Sequence, residues 1–108
     1  MLVNLGVVVG SSDAETAWNA FRFAIQAVGS GHAVRVFLLG AGVECQDVRQ
    51  GTYDVSERMR AFVDQGGELL ACGTCLRARR MEGTDLCPVS TMQDLVDLTV
   101  WADRVLTF

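Results

Sequence analysis

Cys72-Gly73-Thr74-Cys75 is the segment of this chain whose residue types and spacing permit chemistry most directly. Two thiols three positions apart fall on one side of a helical turn, so their sulfurs can reach one another. Such a pair supports dithiol–disulfide exchange, transfer of a sulfane sulfur through a cysteine persulfide, or ligation of a metal, and each begins with a thiolate. The surroundings favour that ionised form at Cys72. The residue stands where a strand is predicted to end and a helix to begin, which offers free N–H groups and partial positive charge. Gly73 leaves the approach open, and Arg77, Arg79 and Arg80 bring three cations within eight residues. The competing reading makes both cysteines small buried apolar residues, the commonest fate of a free cysteine. A strand-to-helix junction beside arginines is an unusual place for it.

The remaining thiols are less informative. Cys45 lies in a long loop after the second predicted strand, and Cys87 precedes Pro88, the only proline. If all strands are parallel, both loops reach the sheet edge that carries Cys72, where four sulfurs could meet on zinc or an iron–sulfur cluster. A closed structural zinc site generally uses two paired knuckles, however, and a single Cys-x-x-Cys is present. Neither a metal nor another cofactor is therefore expected. A thioredoxin-like assignment fails on position, because the motif follows the third strand and has no proline between its cysteines. Gly40-Ala41-Gly42 resembles half of a dinucleotide fingerprint without its third glycine. His32, the sole histidine, opens a strand and reads as a surface or strand-edge residue.

The elements that must hold these residues follow from apolar periodicity. Leu2 to Val9 is an unbroken apolar run closed by Gly10, the pattern of a strand buried on both faces. Ser12 and Glu15 have capping-box spacing ahead of a helix with Ala14, Ala17, Trp18, Phe21, Ile25 and Val28 on one face, ended by Gly29-Ser30-Gly31. His32 to Leu39 is a second strand. Residues 40–53 lack a period and are expected to be a loop with at most a short helical turn. Asp54 and Glu57 cap a second helix that stops at Gly66-Gly67, and Glu68 to Ala71 is a third strand leading into Cys72. Leu86 to Val89 reads as a fourth strand. Ser90 or Thr91 caps a helix through Ala102, with Asp94 and Asp97 on its solvated face, and Arg104 to Phe108 reads as a fifth strand. Trp18 and Trp101 fall on helical apolar faces as core or subunit-interface anchors. Alternating strands and helices predict an α/β fold: a three-layer α/β/α sandwich on a five-stranded parallel sheet. Gly10 and Ser11 at the end of the first strand, with Gly73, Thr74 and Arg77 beside the first cysteine, are the expected binding positions.

At 108 residues and 11.7 kDa, positions 1–108 are predicted to form one domain. Half the residues are hydrophobic and 20% are charged, enough to bury a core. A net charge of -4 and a pI near 4.7 argue against nucleic acid or an anionic membrane as partner. All nine basic residues are arginine, so Schiff-base chemistry and a Walker-A lysine are excluded. No apolar run is long enough to cross a bilayer and the N-terminus lacks a signal-like start, so a cytoplasmic protein is expected, where cysteines are more often free or catalytic than paired.

These features together resemble the DsrE/DsrF-like sulfur-relay proteins, which include the TusD-type subunits. The resemblance is carried by the Gly10-Ser11-Ser12 turn, by Gly66-Gly67-Glu68-Leu69-Leu70-Ala71-Cys72, by Met92-Gln93-Asp94-Leu95-Val96-Asp97 and by Ala102-Asp103-Arg104-Val105-Leu106-Thr107-Phe108. It implies that Cys72 is the residue carrying persulfide sulfur. It also implies sulfur donor and acceptor proteins or small persulfides as partners, and a homo-oligomer, trimer or hexamer. Cys75 departs from the single-cysteine pattern of the TusD-like subunits and adds a candidate resolving thiol. A cysteine-based metal-binding or redox-sensing module without catalytic activity is the alternative.

Overall fold

The computed structural model of the protein describes residues 1–108. Strand β1 (Asn4–Val9) leads through helix α1 (Ala14–Gly29) to β2 (Ala33–Leu38). A 3-10 helix (Gly40–Asp47) and a small hairpin, β3 (Arg49–Gln50) and β4 (Tyr53–Asp54), precede α2 (Val55–Asp64). The chain then runs through β5 (Glu68–Cys72), α3 (Gly73–Ala78), β6 (Val89–Ser90), α4 (Met92–Trp101) and β7 (Arg104–Thr107). The main sheet has the order β6-β5-β2-β1-β7, and every neighbouring pair is parallel. The α/β architecture and the five parallel strands are those the apolar periodicity predicts.

Continuous Val and Leu runs make the central strands, because both faces of β1, β2 and β5 are covered. Leu5, Val7 and Val9 on β1 and Val34, Val36 and Leu38 on β2 are buried in a cluster of 23 apolar residues. Phe21 of α1 meets Phe62 of α2 edge-on at 6.1 Å over one side of the sheet. On the other side α4 crosses β1 at Gly6, where an added Cβ would meet Leu98 and, at 3.3 Å, Ala102. Leu98 is the one fully buried residue of α4, whereas Met92, Val96 and Val100 form an exposed stripe at four-residue spacing.

Local differences from the sequence expectation have identifiable causes. Asp13 rather than Ser12 caps α1: its carboxylate accepts the Thr16 N–H at 3.0 Å, and Ser11 Oγ accepts the Asp13 N–H. The residues between β2 and α2 are ordered as a 3-10 helix and a hairpin. A three-residue period leaves no helical signature in the sequence. Strand β6 begins at Val89, because Thr84 and Cys87 close a turn on each other and Pro88, lacking an N–H, joins the ladder through its carbonyl to Ala71. Trp18 and Trp101 are half-buried, the first edge-on to Tyr53 at 5.3 Å and the second beneath the Arg35 guanidinium at 4.0 Å. His32 accepts the Val3 N–H through Nδ1, a strand-edge role.

Thr91 caps α4 in a reciprocal capping box, so Asp94 serves the helix start instead of merely facing solvent. Thr91→Ala is expected to lower the unfolding free energy by about 1 kcal/mol, read as a reduced midpoint in chemical denaturation.

Candidate functional site

Cys72 is both the last residue of β5 and the N-cap of α3, so the sheet fixes its backbone where the helix begins, although its side chain makes no capping hydrogen bond. The residue is 3% exposed. Burial opposes ionisation of its thiol, but hydrogen bonds from the Cys75 thiol and from the Cys75 and Thr74 N–H groups, with Arg77 nearby, outweigh it and hold Cys72 below the ordinary cysteine value. With α3 only six residues long, these individual donors rather than an extended helix dipole carry the effect.

Cys75 is displaced the other way. Donating its proton to Cys72, being desolvated and facing the Cys72 charge all raise its thiol, while the Gly40 N–H and Arg79 act to lower it. Gly40 N–H reaches Cys75 Sγ at 3.1 Å. Gly40 therefore anchors the Cys75 sulfur, while of the two thiols the charge is favoured on Cys72.

The expected binding positions separate into two groups. Gly73 is buried and does not open a path to solvent: an added Cβ would press on Val89 at 3.0 Å and on the Ser90 carbonyl at 3.1 Å, so glycine lets α3 start flush against β6. Thr74 is exposed, and its hydroxyl accepts from Arg77 at 3.3 Å, which keeps that guanidinium over the first turn of α3. Gly10 and Ser11 end β1, two strands from β5, and have no hydrogen bond to either thiol. Gly10 N–H donates to the Phe108 carbonyl, and the Ser11 carbonyl accepts from the Cys45 thiol at 3.4 Å.

The three arginines do not act together. Arg77 alone of them influences Cys72. Arg79 is committed to the Cys75 carbonyl at 3.3 Å and to Glu44 at 3.4 Å, and Arg80 is exposed in the left-handed region, with φ 55°. Arg77→Ala is expected to shift the pH midpoint of Cys72 alkylation upward and to slow the reaction a few-fold at neutral pH, since the thiolate loses a stabilising cation. The pH dependence of the rate in the two proteins checks this. The exposure of Arg77 keeps the effect modest.

Cys45 and Cys87 are completely buried in the core, and desolvation pushes each thiol up to about 12. Nowhere do three or more His, Cys, Asp or Glu side chains group as a set able to hold a metal ion. The surface clefts, the two largest about 460 Å³ each, are lined by other residues; Cys72 is buried, Cys75 is half-buried, and exposed Val89 lies beside Gly73. Gly40 is the site residue that sequence reasoning missed. Its signal was the Gly40-Ala41-Gly42 fragment, whose first glycine presents an N–H to sulfur rather than to a pyrophosphate.

A five-stranded parallel α/β sheet that ends its third parallel strand in a cysteine with an activated thiol defines a class of small thiol-bearing α/β proteins. The chain belongs to the DsrE/DsrF-like family, whose signature matches residues 4–108, a family generally connected with sulfur relay. It is 34% identical over 100 residues to an uncharacterized protein of Methanopyrus kandleri, a match covering 87% of this chain and 83% of that one. It is 33% identical to an uncharacterized protein of Methanocaldococcus jannaschii, over 87% and 88% of the two chains. The crystal structure of the ychN protein from E. coli superposes over 100% of both chains with a TM-score of 0.85 and 25% identity. A conserved protein of unknown function from Bacteroides thetaiotaomicron shares the fold, with a TM-score of 0.79 and 16% identity over 97% of this chain and 94% of that one. No helix of the protein is long and apolar enough to cross a membrane.

Proposed function

We propose that the protein is a sulfur carrier or sulfurtransferase-like protein that holds sulfane sulfur as a persulfide on Cys72. The Cys72 thiolate attacks the outer sulfur of a donor persulfide, the donor leaves as its thiolate, and Cys72 retains the transferred sulfur. The observation that carries this reading is the placement of Cys72 at the β5–α3 junction on the carboxyl edge of the sheet, with Cys75 three residues on and the Cys72 thiol lowered in part by nearby Arg77. The Thr74 and Cys75 N–H groups and Arg77 are placed to stabilise the persulfide anion, as they stabilise the thiolate. Cys75 is the resolving thiol.

The partners are sulfur donor and acceptor proteins or small persulfides, and the cytoplasm is the compartment that keeps four free cysteines reduced. Residues 1–108 act as one DsrE-like domain. The functional unit is a homo-oligomer, a trimer or hexamer, supported by the exposed stripe Met92, Val96 and Val100 on α4, with Val89 and Val105 also exposed on the two edge strands. Val89 borders the dithiol through Gly73, so packing copies on this face also shelters a reactive persulfide that no cavity of the single chain encloses. Light scattering is expected to report a species well above 11.7 kDa, and Val100→Asp, which charges a residue 80% exposed, is expected to return it toward the monomer with the fold intact.

The experiment for the carrier reading is cyanolysis of reduced protein exposed to polysulfide. One cyanide-labile sulfur per chain is expected in Cys75→Ser, where the resolving thiol is gone, and none in Cys72→Ser. Disulfide formation in the native protein together with no labile sulfur in Cys75→Ser would instead establish the redox-sensing alternative, which the same dithiol favours.

A further inference from the structure

We propose that the Gly40 N–H holds Cys75 as the attacking thiol and commits the loaded pair to releasing its sulfur as hydrosulfide. The proposal rests on the carrier reading and extends it to the release step. The Gly40 donor lies 3.1 Å from Cys75 Sγ, and Cys75 stands three residues after Cys72 in the first turn of α3, so the amide reaches the sulfur placed to attack.

The amide is fixed from both sides. Gly40 has φ +57°, a left-handed conformation that glycine adopts freely and that turns the chain sharply out of β2. Two residues on, the backbone of Gly42 lies directly against the Val9 carbonyl, with no room for a Cβ, and Gly42 N–H donates to the Leu39 carbonyl at 3.0 Å. Further along the same 3-10 helix, Glu44 pairs with Arg79 at 3.4 Å, and Arg79 donates to the Cys75 carbonyl at 3.3 Å. The 3-10 helix thus grips α3 at two points, the sulfur and the backbone of one residue. A thiol that merely kept the site reduced would need no such clamp.

In the release step Cys75 Sγ attacks Cys72 Sγ. The Cys75–Cys72 sulfur bond forms and the bond from Cys72 Sγ to the outer sulfur breaks. That sulfur leaves with the electron pair of the broken bond, and the Cys75 proton departs with it. A loaded persulfide anion and a thiol become a disulfide and one hydrosulfide ion, with charge and atoms conserved. As the proton moves off, negative charge grows on Cys75, and the Gly40 N–H bond strengthens with it. The disulfide must then be reduced by an external thiol or dithiol, so a thiol reductant belongs to the cycle.

Cys45 provides a ligation point at which the full chain can be assembled with the Leu39–Gly40 amide replaced by an ester, which removes this N–H and otherwise only weakens the Leu39 carbonyl as acceptor for the Gly42 N–H. Loading of Cys72 from polysulfide is expected at the native rate, whereas hydrosulfide release without added reductant slows by at least about tenfold. Gly40→Ala tests the same contact through geometry. Gly51→Ala, with φ +58° in the β3–β4 turn and nothing near its added Cβ, controls for backbone strain. Release slowed in Gly40→Ala and not in Gly51→Ala supports the assignment. Native-rate release in the ester protein, or equal slowing in both alanine variants, overturns it. Failure of the native protein to load Cys72 at all is the distinct result that removes the carrier reading, and this step with it.

Discussion

Brief treatment of the reduced, native protein with a small alkylating agent at neutral pH is expected to modify Cys72 first and to leave Cys45 and Cys87 untouched. Thiolate, not thiol, is the nucleophile. A thiol pushed from its ordinary 9.0 up to about 12 holds roughly a thousandth of the thiolate at a given pH, and both buried cysteines are in that state. Complete burial adds a further barrier, because the reagent reaches them only when the fold opens. Cys72 is also largely covered, at 3% exposure, but it sits at a helix start on the surface of the sheet edge and its thiol is lowered. Rates for the four cysteines, followed by peptide mapping, are expected to differ by three orders of magnitude or more between Cys72 and the buried pair. Comparable labelling of Cys45 would show that the last turn of the 3-10 helix does not stay packed on Ser11.

The largest expected loss of stability comes from Gly42→Ala. The Cβ added there would overlap the Val9 carbonyl, a backbone atom of the central strand that cannot turn aside as a side chain can. Overpacking ordinarily costs roughly 1–3 kcal/mol, and a collision with sheet backbone belongs at or beyond the top of that range. Chemical denaturation is expected to show a drop of about 3 kcal/mol, with faster labelling of Cys45 and Cys75, since both depend on the 3-10 helix. An unchanged denaturation midpoint would mean that the 3-10 helix moves freely relative to β1.

Much of this architecture is legible in the sequence, for physical reasons that particular residues illustrate. Leu5 to Val9 and Val34 to Leu38 announce central parallel strands because both faces must be apolar, and Asp54 three residues before Glu57 marks the α2 start that the structure contains. Cys72 is legible as a strand-to-helix residue for the same reason. What governs its sulfur is less so. The groups that lower its thiol include the main-chain N–H groups of Thr74 and Cys75, just as the Gly40 N–H is what reaches the Cys75 sulfur, and an amide carries no residue-type signature. The arginine count near Cys72 misleads, because Glu44, 35 positions before Arg79, draws that cation onto Cys75. The Met92, Val96 and Val100 stripe has the periodicity of a core face yet points outward, since one residue, Leu98, fills the space that α4 shares with the sheet. Sequence spacing tells which residues share a helix face, and only packing tells what that face meets.

The central claim, that Cys72 carries sulfur and Cys75 resolves it, is tested most directly by intact mass after polysulfide treatment of the reduced protein and its two single variants. Cys75→Ser is expected to retain one added sulfur, trapped on Cys72 for want of the resolving thiol. The native protein is expected to pass through that species to the disulfide, and Cys72→Ser to gain nothing. A sulfur that persists in Cys72→Ser and disappears in Cys75→Ser would contradict the account.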